Sequence, residues 1–214
     1  MVAAAQSEGV RREPITIEAA RALYDGADAA HAFDHVLRVT ALAERLAAAE
    51  GADPVIVRTA ALLHDVERHQ PEHHLRGAER AREILSGWPT PFVEAVAHAI
   101  AAHRFRAGPA PTTREAQCLF DADKLDAIGA VGVARAFAYG GKQGQRLWAP
   151  IESIDPDGPE LPAPEYTPVH EYVRKLARLH TQLYTATARR IAAERHAFMV
   201  AFYARLQREV EGWE

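Results

Sequence analysis

A short apolar run, Ala60-Ala61-Leu62-Leu63, ends in a polar pair, His64-Asp65. Packing alone gives such a run no reason to finish in an imidazole beside a carboxylate. A neutral ring nitrogen and a carboxylate oxygen both bind divalent cations. Neighbouring side chains on a helix diverge by about 100°, so an ion held between His64 and Asp65 needs further ligands from other elements. Taken alone, the dipeptide reads more readily as a surface or capping pair than as part of a metal site. Two other stretches carry groups of the same kind. His31 and His35 are four residues apart, and Arg38 follows three beyond, so all three share one helix face. A solvated first turn would look similar, but His35 leads straight into an apolar helix. Asp123 stands in Asp121-Ala122-Asp123-Lys124-Leu125-Asp126, with Cys118, Leu119 and Phe120 before it and Ala127 and Ile128 after. An ordinary charged face would not be so enclosed by apolar residues.

These groups need helices to position them. Apolar spacing predicts helices over about 15–24 and 31–50, the second ending at Gly51. Asp53-Pro54 restarts the chain with a capping Asp and a Pro at the first helical position. That helix runs just past His64-Asp65. Further helices are expected over about 73–86 and 90–103, and one after Thr112, which with Glu115 gives a capping-box signature, while the Ala-, Val- and Gly-rich stretch 127–139 is expected to pack in the interior. Gly140-Gly141 opens an irregular segment of about 140–165, rich in Pro, long enough to act as a lid. Thr167-Pro168 starts a helical region reaching the C-terminus, interrupted near Tyr184-Thr185. No strand-type alternation of useful length occurs. The expected class is all-α, with 1–14 as a flexible tail and 15–214 as one domain.

Composition narrows the function classes. The chain has 214 residues, 48% hydrophobic and 25% charged, which suits one sizeable globular domain. A formal charge of -4 argues against a general nucleic-acid binder, though not against a local cationic pocket. The single Cys118 excludes an intramolecular disulfide and reads as a small buried apolar residue. The N-terminal residues lack the apolar core of a signal peptide, and no stretch is long and apolar enough for a membrane span. A cytoplasmic protein with no membrane partner and no stable nucleic-acid partner is expected.

The chain resembles the HD-domain phosphohydrolases. His31-Ala-Phe-Asp-His35-Val-Leu-Arg38-Val resembles the first motif of that family, and Leu62-Leu63-His64-Asp65 the motif that names it. The block from Asp121 through Asp123 and Asp126 to Arg135-Ala-Phe137 is similar to one in small bacterial members, as are Lys175-Leu176 and Ala193-Glu194-Arg195-His196. The resemblance extends over most of the chain from about Asp28. It implies a metal set of His35, His64, Asp65 and Asp123, a helical fold, and hydrolysis of a small phosphorylated substrate, with a nucleotide as the first expectation.

Two imidazoles and two carboxylates make a mixed nitrogen-oxygen site that suits Mn²⁺, Fe²⁺, Co²⁺, Ni²⁺ or Mg²⁺, and Zn²⁺ also fits. Four protein ligands leave about two octahedral positions for a water and a phosphate oxygen. Arg38 and Lys124, each close in sequence to a ligand, are best placed to take up phosphate charge. Lys142, Arg146 and Lys175 can join from the long loop and the last helical region, although a plain exposed role fits each as well. His31 and His74 complete the expected substrate contacts. Asp126 and His103 are expected beside the chemistry, supporting ligands or substrate. Glu67 is either an acid–base group or an exposed carboxylate at a helix end, the second being preferred. The chain has 11 His, and His74 and His103 are the candidates for a second ion. The spacing of His74 from His64 fits that poorly, so one ion is expected. Two alternatives stay open: a diiron oxygenase on the same scaffold, and a metal-stabilised nucleotide-binding module without turnover.

Overall fold

Asp53 Oδ1 accepts the backbone N–H of Val55 at 2.8 Å and of Ile56 at 3.3 Å, and Pro54 occupies the first helical position, where its missing N–H costs nothing. The helix so started, Pro54–Leu63, delivers His64-Asp65. The computed structural model describes residues 13–24, 33–104, 108–159 and 161–213. In these, the elements are α1 (Ile17–Arg21), α2 (Phe33–Glu50), α3 (Pro54–Leu63), α4 (His73–Ile84), α5 (Thr90–Ala101), α6 (Arg114–Asp126) and α7 (Gly129–Lys142). After a 3₁₀ turn at Ile151–Ser153 come α8 (Pro168–Glu171), a π turn (Tyr172–Leu176), α9 (Ala177–Leu179) and α10 (Ala186–Val210). Among the described residues there is no strand, and the class is all-α as expected. None of these helices is long and apolar enough to cross a membrane.

Periodic apolar residues fix the packing. Val36, Val39, Ala43, Leu46 and Ala47 form the buried stripe of α2, which packs on α3 and α6. Helix α6 buries Cys118, Leu119, Phe120, Ala122 and Leu125, so it lies inside the bundle rather than on its surface. Each Leu or Phe side chain among them contributes about 1.5–3 kcal/mol on removal from water. Helix α4 lies along α5, and α10 packs on α7. A Cβ at Gly77 would meet Ile100 Cγ2 at 3.3 Å and the His64 carbonyl oxygen at 3.5 Å. The bare glycine therefore lets α4 approach the end of α3, one turn along from His73.

Three boundaries differ from expectation. The cap of α6 is Thr113, whose hydroxyl accepts the Ala116 N–H; Thr112 instead pairs with His98, and Glu115 accepts the Asp53 N–H. Helix α7 runs through Gly140-Gly141 to Lys142, so the long connection starts later than 140. Two glycines cost about 1 kcal/mol each in a helix, but Gly140 packs where a Cβ would lie 3.0 Å from Pro168 Cγ, so tertiary contact outweighs propensity. The C-terminal region is broken not only before α10 but also at the π turn. His31 and most of the 1–14 segment lie outside the described residues.

Candidate metal centre

Three histidines arrive with the same nitrogen already fixed. His64 sits at the C-cap of α3, and its Nδ1 lies 2.8 Å from the Ala61 carbonyl oxygen. His103 stands just past the end of α5, with Nδ1 2.6 Å from the Ile100 carbonyl. In both, the imidazole folds back on the last helical turn, where carbonyls lack intrahelical partners. A carbonyl only accepts, so Nδ1 carries the proton and Nε2 is left as a lone-pair donor. His35, in the first turn of α2, lays Nδ1 2.7 Å from Asp126 Oδ2. Its Nε2 then lies 3.5 Å from Asp123 Oδ1 and 3.8 Å from Asp65 Oδ2, and the His64 Nε2 lies 3.6 Å from that same Asp65 oxygen. His35, His64 and Asp123 present donor atoms within 4.8 Å of one another. The structure thus brings the four expected ligands together from α2, the end of α3, and α6.

Electrostatics suit a cation. Burial pushes the His64 pKa down to about 4, so the ring is neutral near pH 7. Asp65 and Asp123 would be raised by burial, but His64 and His103 around Asp65, and Lys124 and His35 around Asp123, hold both well below the usual carboxylate range. His64 Nε2 and Asp65 Oδ1 are buried with no hydrogen-bond partner. Buried polar atoms are normally paired, and a bound divalent ion would satisfy both of these.

The HD-domain family model matches residues 32–128. Over 189 residues the chain is 33% identical to the uncharacterised protein YpgQ of Bacillus subtilis strain 168, covering 85% of each. The chain belongs to the HD-domain family. The crystal structure of Bacillus subtilis YpgQ in complex with ADP superposes with a TM-score of 0.72 at 31% identity, covering 93% of this chain and 100% of that one. An HD-superfamily hydrolase from Bacillus thuringiensis gives a TM-score of 0.71 at 28% identity, covering 91% and 94%.

Around the HD pair lie further groups. Asp65 turns its other oxygen, Oδ1, to His103 Nε2 at 3.6 Å and His73 Nε2 at 4.0 Å, making a second cluster of possible ligands. His73 Nε2 is buried without a hydrogen-bond partner, and burial lowers its pKa to about 4. The sequence pointed to His74 instead. His74 is buried against the His73 ring at 5.8 Å and lies outside this cluster. Adjacent histidines at a helix start give no hint of which faces inward until α4 is docked. Tyr24 was also missed: its hydroxyl donates to the Leu62 carbonyl and accepts the Asp65 N–H, bracing the HD turn.

Asp126 is saturated. It accepts from His35 Nδ1, Arg38 Nε at 2.7 Å, Arg38 Nη2 at 3.1 Å and Arg135 Nη1 at 3.0 Å. Burial would raise it, but His35 and Arg38 bring it down to about 2. Arg38 also pairs with Asp34, so its charge has two carboxylate partners. Lys124 donates to Asp123 Oδ2 at 2.6 Å and to the His103 carbonyl at 3.0 Å. Lys175 is exposed and paired with Glu171 at 2.7 Å. Glu67 is half-buried in the turn after the HD pair, and its backbone carbonyl accepts the Gln70 N–H.

Two expected results arise here. Asp126→Ala frees the His35 ring, and metal affinity falls about 10–100-fold, as loss of a ligand's hydrogen-bond partner does; unchanged affinity in a metal titration would show that Asp126 orients nothing. The second concerns pH. Burial opposes charge on His35, but hydrogen bonds from its ring to Asp123 and Asp126 outweigh this and lift its pKa to about 9. Below that pH an ion must displace a proton, so affinity weakens by roughly tenfold per unit fall in pH. Titrations at pH 6.5, 7.5 and 8.5 test this, and a flat profile would contradict it.

Proposed function

We propose that this protein is a metal-dependent phosphohydrolase that cleaves a phosphate ester or anhydride of a nucleotide. The observation that carries the reading is the convergence of His35, His64, Asp65 and Asp123, with the Nε2 atoms of both histidines aimed inward. A divalent ion held by these four groups would polarise a phosphoryl oxygen and acidify water toward neutral pH. Asp126 holds the His35 ring in place and keeps its proton on Nδ1 once Nε2 is a ligand. Lys124 has three N–H donors; Asp123 and His103 take two, which leaves one for a phosphate oxygen. Arg135, on Asp126, helps offset the carboxylate charge of the site. The nucleotide comes from analogy with YpgQ, whose structure holds ADP.

A panel of nucleoside mono-, di- and triphosphates incubated with Mn²⁺ tests this, with phosphate and pyrophosphate as products. Turnover is expected with metal and is lost on chelation. Equal activity in chelated and loaded samples, or none on any nucleotide, sinks the reading. The Asp65, His73 and His103 cluster favours a second reading, two ions rather than the one expected, and with it a diiron oxygenase. Metal stoichiometry distinguishes one ion from two. Oxygen uptake by the iron-loaded protein supports the oxygenase, whereas phosphate release without oxygen supports the hydrolase.

A further inference from the structure

The residues flanking His103, Ala102 and Arg104, line an open cleft of about 630 Å³ together with Phe120, Gln182, Leu183 and Tyr184. Cavities of this size hold small organic ligands. The cleft adjoins the metal ligands through a short series of contacts. Lys124 Nζ, 2.6 Å from Asp123 Oδ2, lies 5.1 Å from the centroid of the Phe120 ring. Phe120 in turn meets Tyr184 edge to face, with centroids 5.1 Å apart and planes at 88°. Phe120 is 5% exposed and Tyr184 42%, so one ring is a buried wall and the other is open to a ligand.

Tyr184 is held firmly for an exposed aromatic. Its N–H donates to the buried Asp121 at 2.9 Å, and its carbonyl accepts from Arg189 at 2.9 Å. A half-open ring on an anchored backbone, beside the proposed hydrolytic site, matches a planar heteroaromatic group. We infer that this cleft is the nucleobase subsite, with Tyr184 as the stacking platform and Phe120 as its wall. The inference rests on the hydrolase reading of the neighbouring cluster and adds where the base binds and how it is recognised. Gln182 and Arg104, the side chains able to read base edges, are both exposed. Stacking on a ring face is tolerant of base identity, so the subsite selects for a base rather than for one base.

The test compares ATP with tripolyphosphate, which has the anhydride and lacks the nucleoside. Removing a stacking aromatic typically weakens binding about tenfold or more. Tyr184→Ala is therefore expected to raise the ratio of KM for ATP to KM for tripolyphosphate about tenfold, and Tyr184→Phe, which keeps the ring, to restore the wild-type ratio. A ratio unchanged in Tyr184→Ala overturns the subsite while leaving the hydrolase reading intact. Should the wild type cleave neither compound, that reading fails separately. Equilibrium binding of ATP then decides the subsite: weaker binding by Tyr184→Ala supports it, and equal affinity overturns it.

Discussion

Asp123→Ala is expected to lose metal binding and the proposed hydrolytic activity together. Its Oδ1 lies 3.5 Å from His35 Nε2, and its Oδ2 binds Lys124, so the substitution removes a ligand and strands a cation beside the site. In the wild type an ion on this proposed ligand set would draw together α2, α3 and α6 and bind only the folded arrangement. At about 100 times the dissociation constant this linkage is worth about 2.7 kcal/mol. For a chain of this size, that is roughly 5–10 °C in melting temperature. Chelation should therefore lower the Tm of the wild type by that amount and leave Asp123→Ala unmoved. Metal content measured on the folded variant checks the first half, and thermal scans check the second. Retention of the ion by Asp123→Ala would refute the ligand assignment on α6.

Asp121→Ala keeps the metal but loses stability. Two residues round the helix turn a side chain by about 200°, and the structure accordingly points Asp121 away from the ligands. Its carboxylate is fully buried and accepts the Tyr184 N–H at 2.9 Å, the Thr185 N–H at 2.8 Å and the Thr185 hydroxyl at 2.7 Å. Thr185 is the cap of α10, so Asp121 ties the start of the longest described helix to the centre of the bundle. Burial outweighs these donors and raises the Asp121 pKa. Each buried donor left without a partner costs about 1–3 kcal/mol, and three of them imply a loss of about 3 kcal/mol or more. Asp121→Asn, which retains an acceptor oxygen, should lose less. Denaturant unfolding gives the numbers; a melt of Asp121→Ala that superimposes on the wild type would show the contacts to be of no consequence.

Much of this was readable in the chain. Caps and breakers act locally, so Asp53-Pro54 and the interruption at Tyr184-Thr185 stand where their residue types place them. The Thr112 capping box failed by one residue because Thr112 and Glu115 found distant partners, His98 and Asp53, which no local pattern reveals. Gly140-Gly141 likewise stayed helical because α8 packs against it.

From the sequence, apolar periodicity indicated a helical chain, and the resemblance of its motifs to the HD-domain family implied the set His35, His64, Asp65 and Asp123. Only the tertiary structure decided the partners. It set Arg38 on Asp126, turned the two oxygens of Asp65 toward different histidines, chose His73 over His74 for the second cluster, and stood Tyr184 beside Phe120. The physical reason is range. A cap or a helix face is fixed by residues within a turn or two of one another, whereas these contacts depend on how separate helices dock, and docking is set by the whole core at once.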